Sequence, residues 1–241
     1  MSLSLRVRRI LEQQLRSDLQ SEMSGLDTRI AQILIGSNGN AAMVQGVLDD
    51  LEARLKARLA EQLPAAARDS AVALARASGL ADVEIFGDRA ARWAERHTFD
   101  LVRDLTDTSR DKLQRVVSAY FGADVAPTLD DLANAIAPLF GEDRAKRIAV
   151  TEATRASAQG ERELVKELRQ NYPASRVEEY WQTSRDEIVC PICSGLHNVR
   201  RESVGFVSDD GEVYDSPPAH PYCRCAIRTV VRAPEEALED D

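Results

Sequence analysis

The sequence predicts a mainly α-helical protein: an N-terminal helical domain with a long helical hairpin, then a small C-terminal α+β module with a Cys/His staple. Three observations predict it. Apolar residues make up 44% of the 241-residue chain but aromatic residues only 5%, a balance of Ala, Leu and Val that suits helices packed through small side chains. As far as Asn171 the apolar residues recur at three- and four-residue spacing, the period of a helix. All four cysteines lie between Trp181 and Cys225, where the pattern shifts toward the alternation of strands.

From Ser4 to Leu34 one stripe runs through Leu5, Leu11, Leu15, Leu19, Met23, Leu26, Ile30 and Leu34, which reads as a single helix. Ser37-Asn38-Gly39-Asn40 is a turn. A second helix follows from Ala41 to Leu63, with Val44, Val47, Leu48, Leu51, Leu55 and Leu59 on one face. Two amphipathic helices joined by a short turn form an antiparallel hairpin. Pro64 is expected to end or kink the second helix, and a small-residue helix closed by Gly79 comes next. Ala81–Gly87 is too short to assign. Asp88–Phe121 is helical again, with a break expected around Thr106–Ser109 and Gly122 at its end. His97, on this stretch, has no second His or Cys at ligand spacing and reads as a packed or surface residue. Thr128 and Asp131 resemble a capping box with Asp in place of Glu, opening a helix that Gly141 stops. Glu142–Asn171 is the last long helix.

After Pro173, Val177–Thr183 alternates as a strand with Tyr180 and Trp181 on opposite faces. Gly205–Val207 and Glu212–Tyr214 flank Asp-Gly as a hairpin, and Ala226–Val231 is the final strand. Beyond Arg232 the chain is acidic, without apolar pattern, and is expected to be disordered. The domain boundaries that follow are 1–125 for the helical region, 126–232 for the C-terminal module and 233–241 for the tail.

Strands this short bury little, and a loop-rich unit of about 50 residues calls for a staple. Cys190 and Cys193 stand at C-x-x-C spacing, which turns both sulfurs toward one ion. His220, Cys223 and Cys225 add three donors, so five are present where tetrahedral zinc takes four. One or two disulfides, or reduced thiols packed as small hydrophobic groups, are the alternatives. His197 is either a substitute ligand or a loop residue. Pro217, Pro218 and Pro221 stiffen the approach to His220. Glu152 and Arg155, three apart on one helix face, read as an ion pair.

Thr151, Glu152 and Arg155 on a helix, Trp181 in a strand, then Asp186, Cys190, Cys193, Leu196, Pro218, His220, Pro221, Cys223, Arg224 and Cys225 together resemble the phage head morphogenesis family, minor head proteins similar to the F protein of phage Mu. The resemblance takes in residues 126–232. The family commonly has Gly soon after the Leu, where this chain has His197-Asn198; Asn accepts a left-handed turn nearly as well. The resemblance implies a virion protein acting in head assembly, and in some members in DNA delivery, made in the host cytoplasm and bound to portal or capsid protein, as an oligomer or as portal-bound copies. It also implies that Glu152 and Arg155 brace the Cys module by reaching toward Asp186 or Arg185.

Charge and pattern narrow the alternatives. The net charge is −9, and Glu235, Glu236, Glu239, Asp240 and Asp241 supply five of those charges, leaving a mildly acidic body without global attraction for nucleic acid. Contact with packaged DNA would need a local patch, and Arg6, Arg8 and Arg9 are the dense one. No signal peptide or apolar run long enough to span a bilayer is seen. No phosphate-binding glycine loop, Ser/His/Asp set or paired carboxylates point to catalysis, so no catalytic residue is assigned and a non-enzymatic role is expected. The rival class is a metal-dependent nuclease or deaminase-like effector, but deaminases place His-x-Glu before the Cys pair, whereas His220 follows it. A zinc-ribbon adaptor lacks a basic footprint here.

Overall fold

The computed structural model describes residues 3–77, 83–121, 128–184 and 189–232, and it is 70% helical, with a small strand region. The first stripe forms two helices rather than one: α1 (Leu3–Met23) and α2 (Leu26–Gly36). Gly25, at φ 71°, interrupts them. Glycine takes this left-handed conformation at little cost, and the apolar period survives the break because Leu15, Leu19, Met23, Leu26, Ile30 and Leu34 are all buried.

The turn at 37–40 forms as expected, with Asn38 and Gly39 at φ 51° and 79°. A Cβ on Gly39 would lie 2.5 Å from the Phe121 ring, so the position demands glycine on steric grounds as well. A 3₁₀ turn at Ala41–Val44 leads into α3 (Gln45–Ala77). Of the two expected effects of Pro64, an end or a kink, the end does not occur: α3 runs on past it. Leu63, Ala66 and Ala67 are buried around the proline, and packing on both sides outweighs the roughly 3 kcal/mol that an interior proline costs.

Helix α4 (Val83–Phe121) absorbs the unassigned residues from Val83 onward and shows no break at Thr106–Ser109. Thr106 Oγ1 donates to Val102 O at 3.0 Å and Ser109 Oγ to Leu105 O at 2.8 Å; the hydroxyls bond back into their own helix instead of terminating it. Helix α5 (Leu129–Ile136) opens on the foreseen capping box, with Asp131 N donating to Thr128 Oγ1 and Thr128 N to Asp131 Oδ2. The Thr128 hydroxyl, donating to Asp131 Oδ2 at 2.6 Å, and after it the Thr128 N–H hold the Asp131 carboxyl below its ordinary range. Helix α6 (Glu142–Asn171) has the predicted bounds. The expectations at Gly79, Gly122 and the tail 233–241 lie outside the described residues.

The chain divides into two compact units that interleave along the sequence, 13–61 with 96–149, and 1–12 with 62–95 and 150–241. In the first, α2 packs on α5, and the Arg144 guanidinium donates to Ser109 Oγ and Leu105 O. The second contains a short strand system. Strand β1 (Arg176–Gln182) pairs antiparallel with β4 (Ala226–Arg232), Arg176 opposite Arg232 and Gln182 opposite Ala226. Between them lie the one-turn helix α7 (Pro191–Gly195) and the hairpin of β2 (Phe206–Val207) with β3 (Val213–Tyr214), turned through Gly211 at φ 84°. Trp181 is fully buried and meets the edges of Phe206 and Tyr214, at 5.3 and 6.1 Å between centroids. Buried Glu179 accepts from Arg169 of α6 at 3.0 Å and faces Arg201 at 3.8 Å, pinning β1 to α6.

Helices α3 and α6 touch backbone to backbone at Gly160, where a Cβ would fall 2.4 Å from Ala67 O and 3.2 Å from Ala71 N. Gly→Ala inside a helix ordinarily stabilises by about 1 kcal/mol. Here the sign reverses: Gly160→Ala is expected to destabilise by about 1–3 kcal/mol through overpacking. A denaturant titration reads this as a lowered midpoint, and a raised midpoint would refute the close approach.

Candidate metal centre

Cys190 is the N-cap of α7, and its Sγ accepts the Cys193 N–H at 3.4 Å. Pro191, whose ring pre-sets the helical φ, occupies the first helical position. The C-x-x-C pair is therefore carried by one helical turn. Cys193 is buried and Cys190 half-buried at the rim.

The second set of donors comes from the loop that enters β4. His220 Nδ1 lies 2.8 Å from Pro221 O; donating there leaves the Nε2 lone pair free, the arrangement in which a second hydrogen bond orients a ligand imidazole. Nε2 sits 3.0 Å from Cys190 Sγ and 3.2 Å from Cys193 Sγ. Tyr222, at φ 68°, turns the chain so that Cys223 points inward, with its Sγ 3.8 Å from Cys193 Sγ. Cys225 is buried beside them.

All five sequence-predicted donors thus come together. They form two groups, Cys190, Cys193 and His220, and Cys193, Cys223 and Cys225, each with its donor atoms within 4.8 Å of one another. The four thiols are not bonded to one another. Two thiolates bound to one zinc at ~2.3 Å in tetrahedral geometry stand about 3.8 Å apart, which is the Cys193–Cys223 separation. The donors surround a cavity of about 20 Å³. Soft thiolates with one imidazole are the donor set that zinc takes in closed structural sites, so the residues present fit the ion.

The thiols also share protons. Hydrogen bonds from Cys193 and Cys225 hold the Cys223 thiol far below its ordinary range. The same bonds to Cys223 and Cys225, with burial, push Cys193 up. At Cys225 the bond from Cys193 lowers, but Cys223 and burial outweigh it and carry the group up to about 12.

Three side chains hold the loop's backbone: Thr151, named from the sequence only within the family pattern, Arg8, read there as part of a basic patch, and Thr154, which sequence reasoning missed. Thr151 Oγ1 accepts the Tyr222 N–H at 2.8 Å, Thr154 Oγ1 donates to Cys223 O at 2.9 Å, and Arg8 Nη1 donates to Cys225 O at 2.8 Å. Thr151 and Thr154 stand three apart on α6, so their shared face was readable from spacing; Arg8 is 217 residues from its partner, and no local signal announces it. Half-buried and engaged in this way, Arg8 is not a free member of the basic patch expected from Arg6, Arg8 and Arg9. Glu152 is buried and faces Arg155 Nε at 3.4 Å. Asp186 and Arg185, their expected contacts, lie outside the described residues. His97 is half-buried on α4 and belongs to neither donor group, and His197 Nδ1 lies 2.9 Å from Thr183 Oγ1, away from the donor set. Asn198 takes φ 63° as foreseen and donates to Trp181 O at 2.8 Å.

Replacing Thr154 by Val keeps the shape and leaves the buried Cys223 carbonyl without its donor, an expected loss of about 1–3 kcal/mol read from the urea midpoint. An unchanged midpoint would show that the loop is held by other means.

No curated protein and no solved structure matches the chain. Residues 123–228 match the family described as Phage Mu protein F like protein. That span contains α5, α6, all five donors and the Trp181 core, so the match and the donor geometry meet on the same residues. Over these residues the C-terminal region of the chain is similar to the phage Mu protein F like proteins.

Proposed function

We propose that the protein is a minor head protein of a tailed phage, present in the virion at the portal or inner capsid, with a C-terminal module closed by structural zinc. The observation that carries this reading is the convergence of Cys190, Cys193, His220, Cys223 and Cys225 within the family-matched span. The helical region 1–125 supplies the docking surface for portal or capsid protein, and the module 126–232 supplies a rigid, metal-stapled body. Zinc, when bound, contributes folding energy; with four protein ligands it leaves no position for a reacting water, which supports a non-enzymatic role. Among the described residues no helix is long and apolar enough to cross a membrane. Its role lies in head assembly.

Mass spectrometry of purified phage heads tests the location: the chain is expected in intact particles at a few copies per head. Abundance in infected cells with absence from particles would overturn the reading.

Metal analysis of the reduced protein is expected to give about one zinc per chain, with thiols shielded until a chelator is added. Thiolate ligation displaces thiol protons, and the neighbouring thiols and burial shift Cys193 and Cys225 up. Affinity must therefore rise with pH and weaken as protons return. A zinc competition titration between about pH 8 and about pH 5 is expected to show steadily weaker binding toward acid. Binding independent of pH would exclude thiolate ligation.

A further inference from the structure

The ribbon of β1 and β4 has two unlike faces. On one, Glu179, Trp181 and Ile227 are buried. On the other, Arg176 stands opposite Arg232 and Tyr180 opposite Arg228. Arg200 bridges to Tyr180 from the far side of β1. Arg200, Tyr180 and Arg228 therefore form one row across three segments of chain that are distant in sequence.

The guanidinium groups on this face are held in place. Arg176 and Arg200 reach Glu178 Oε1 at 3.2 and 3.1 Å, and the Tyr180 hydroxyl donates to Glu178 Oε2 at 3.0 Å. Arg228 lies over the Tyr180 ring, 4.4 Å from its centroid. Glu178 is buried beneath its partners, whereas the side chains of Arg176 and Arg200 stay 43% and 58% exposed, and Arg228 is exposed as well. These positions set four guanidinium groups against one carboxylate. With strands about 4.8 Å apart and residues about 3.4 Å apart along each, the charge spreads over about 10 by 13 Å.

A single small anion would meet only a corner of such a face. A row of phosphates, repeating at about 3.4 Å of axis along one strand, extends across it. Arginine forks take phosphate oxygens two at a time, and a guanidinium stacked on an aromatic ring offers a flat cationic plane to a base. The contacts to Glu178 order two of the arginines beforehand, which lowers the entropy lost on binding. A body that is acidic as a whole still attracts a polyanion where its strands collect positive charge.

We infer that the outer face of the β1–β4 ribbon binds the phosphate backbone of a nucleic acid. The inference does not rest on the metal reading, since none of these residues is a donor.

The test is fluorescence anisotropy of a labelled random-sequence duplex, and of one of its single strands, titrated with the intact chain between about 50 and about 200 mM salt. Affinity is expected to fall with salt at a log–log slope of about −3 to −4 on the duplex, as four phosphate contacts require. Arg200→Gln and Arg228→Gln are each expected to reduce that slope by about one, and together to weaken binding by more than about tenfold. Arg228→Lys, which keeps the charge, is expected to stay within about threefold of the unsubstituted chain. Arg103→Gln makes the same charge change at an exposed position outside the ribbon and is expected to leave binding unaltered, with circular dichroism as the folding control throughout. The inference is overturned if the chain binds neither probe at about 50 mM salt, or if Arg103→Gln weakens binding as much as Arg228→Gln. It is also overturned if a synthetic peptide of the acidic residues 233–241 binds the face and neither nucleic acid displaces it, which would assign the arginines to an acidic protein segment.

Discussion

The loop from Ser216 to Cys225 has no regular structure of its own, yet it carries three of the five donors into a buried site. Backbone amides and carbonyls taken out of water need partners, and a loop cannot supply them by a helical or sheet ladder. Here Thr151, Thr154 and Arg8 supply them from α6 and α1. The loop's path, the inward turn at Tyr222 and the meeting of Cys223 with Cys193 all depend on those three bonds. Helix α6 is thus the ruler against which the centre is laid out: it offers hydroxyls to the loop, Arg169 to Glu179 of β1, and Gly160 to the backbone of α3.

Small residues make this possible on the helical side. Ala67, Ala71, Ala153, Ala156 and Ala158 are all essentially fully buried, and Gly160 brings α6 against Ala67 O with no side chain between. A surface of small residues packs closely and rigidly, at native interior density. The module's large apolar body is instead aromatic, built from Trp181, Phe206 and Tyr214.

Much of this was legible in the residues and some was not. Helical periodicity located most helices, and the capping box at Thr128 and the start of α6 were read correctly, because caps and apolar stripes are local signals. The break at Gly25 was missed because the apolar period continues through it. Continuation past Pro64 and through Thr106–Ser109 was missed because burial and back-bonding hydroxyls are tertiary and geometric facts, invisible to a rule about breakers. The meeting of the five donors could be anticipated from spacing, but the one-turn helix that carries Cys190 and Cys193 was not. Pairing between β1 and β4 was also beyond reach, since no local pattern links Arg176 with Arg232.

That pairing has a topological result. With Gln182 held opposite Ala226, everything between the two strands is a closed ring of chain whose ends are zipped together, and the donors sit on its two flanks near the zipper. The entropic cost of closing a ring grows only with the logarithm of its length, about 0.6 kcal/mol for each doubling. The exposed turn at the tip of the arc, residues 209–211, can therefore lengthen with little penalty while Phe206 and Tyr214 stay packed on Trp181 and the donors keep their places. The module's chemistry is anchored at the neck of the ring, and length can be added at its exposed tip.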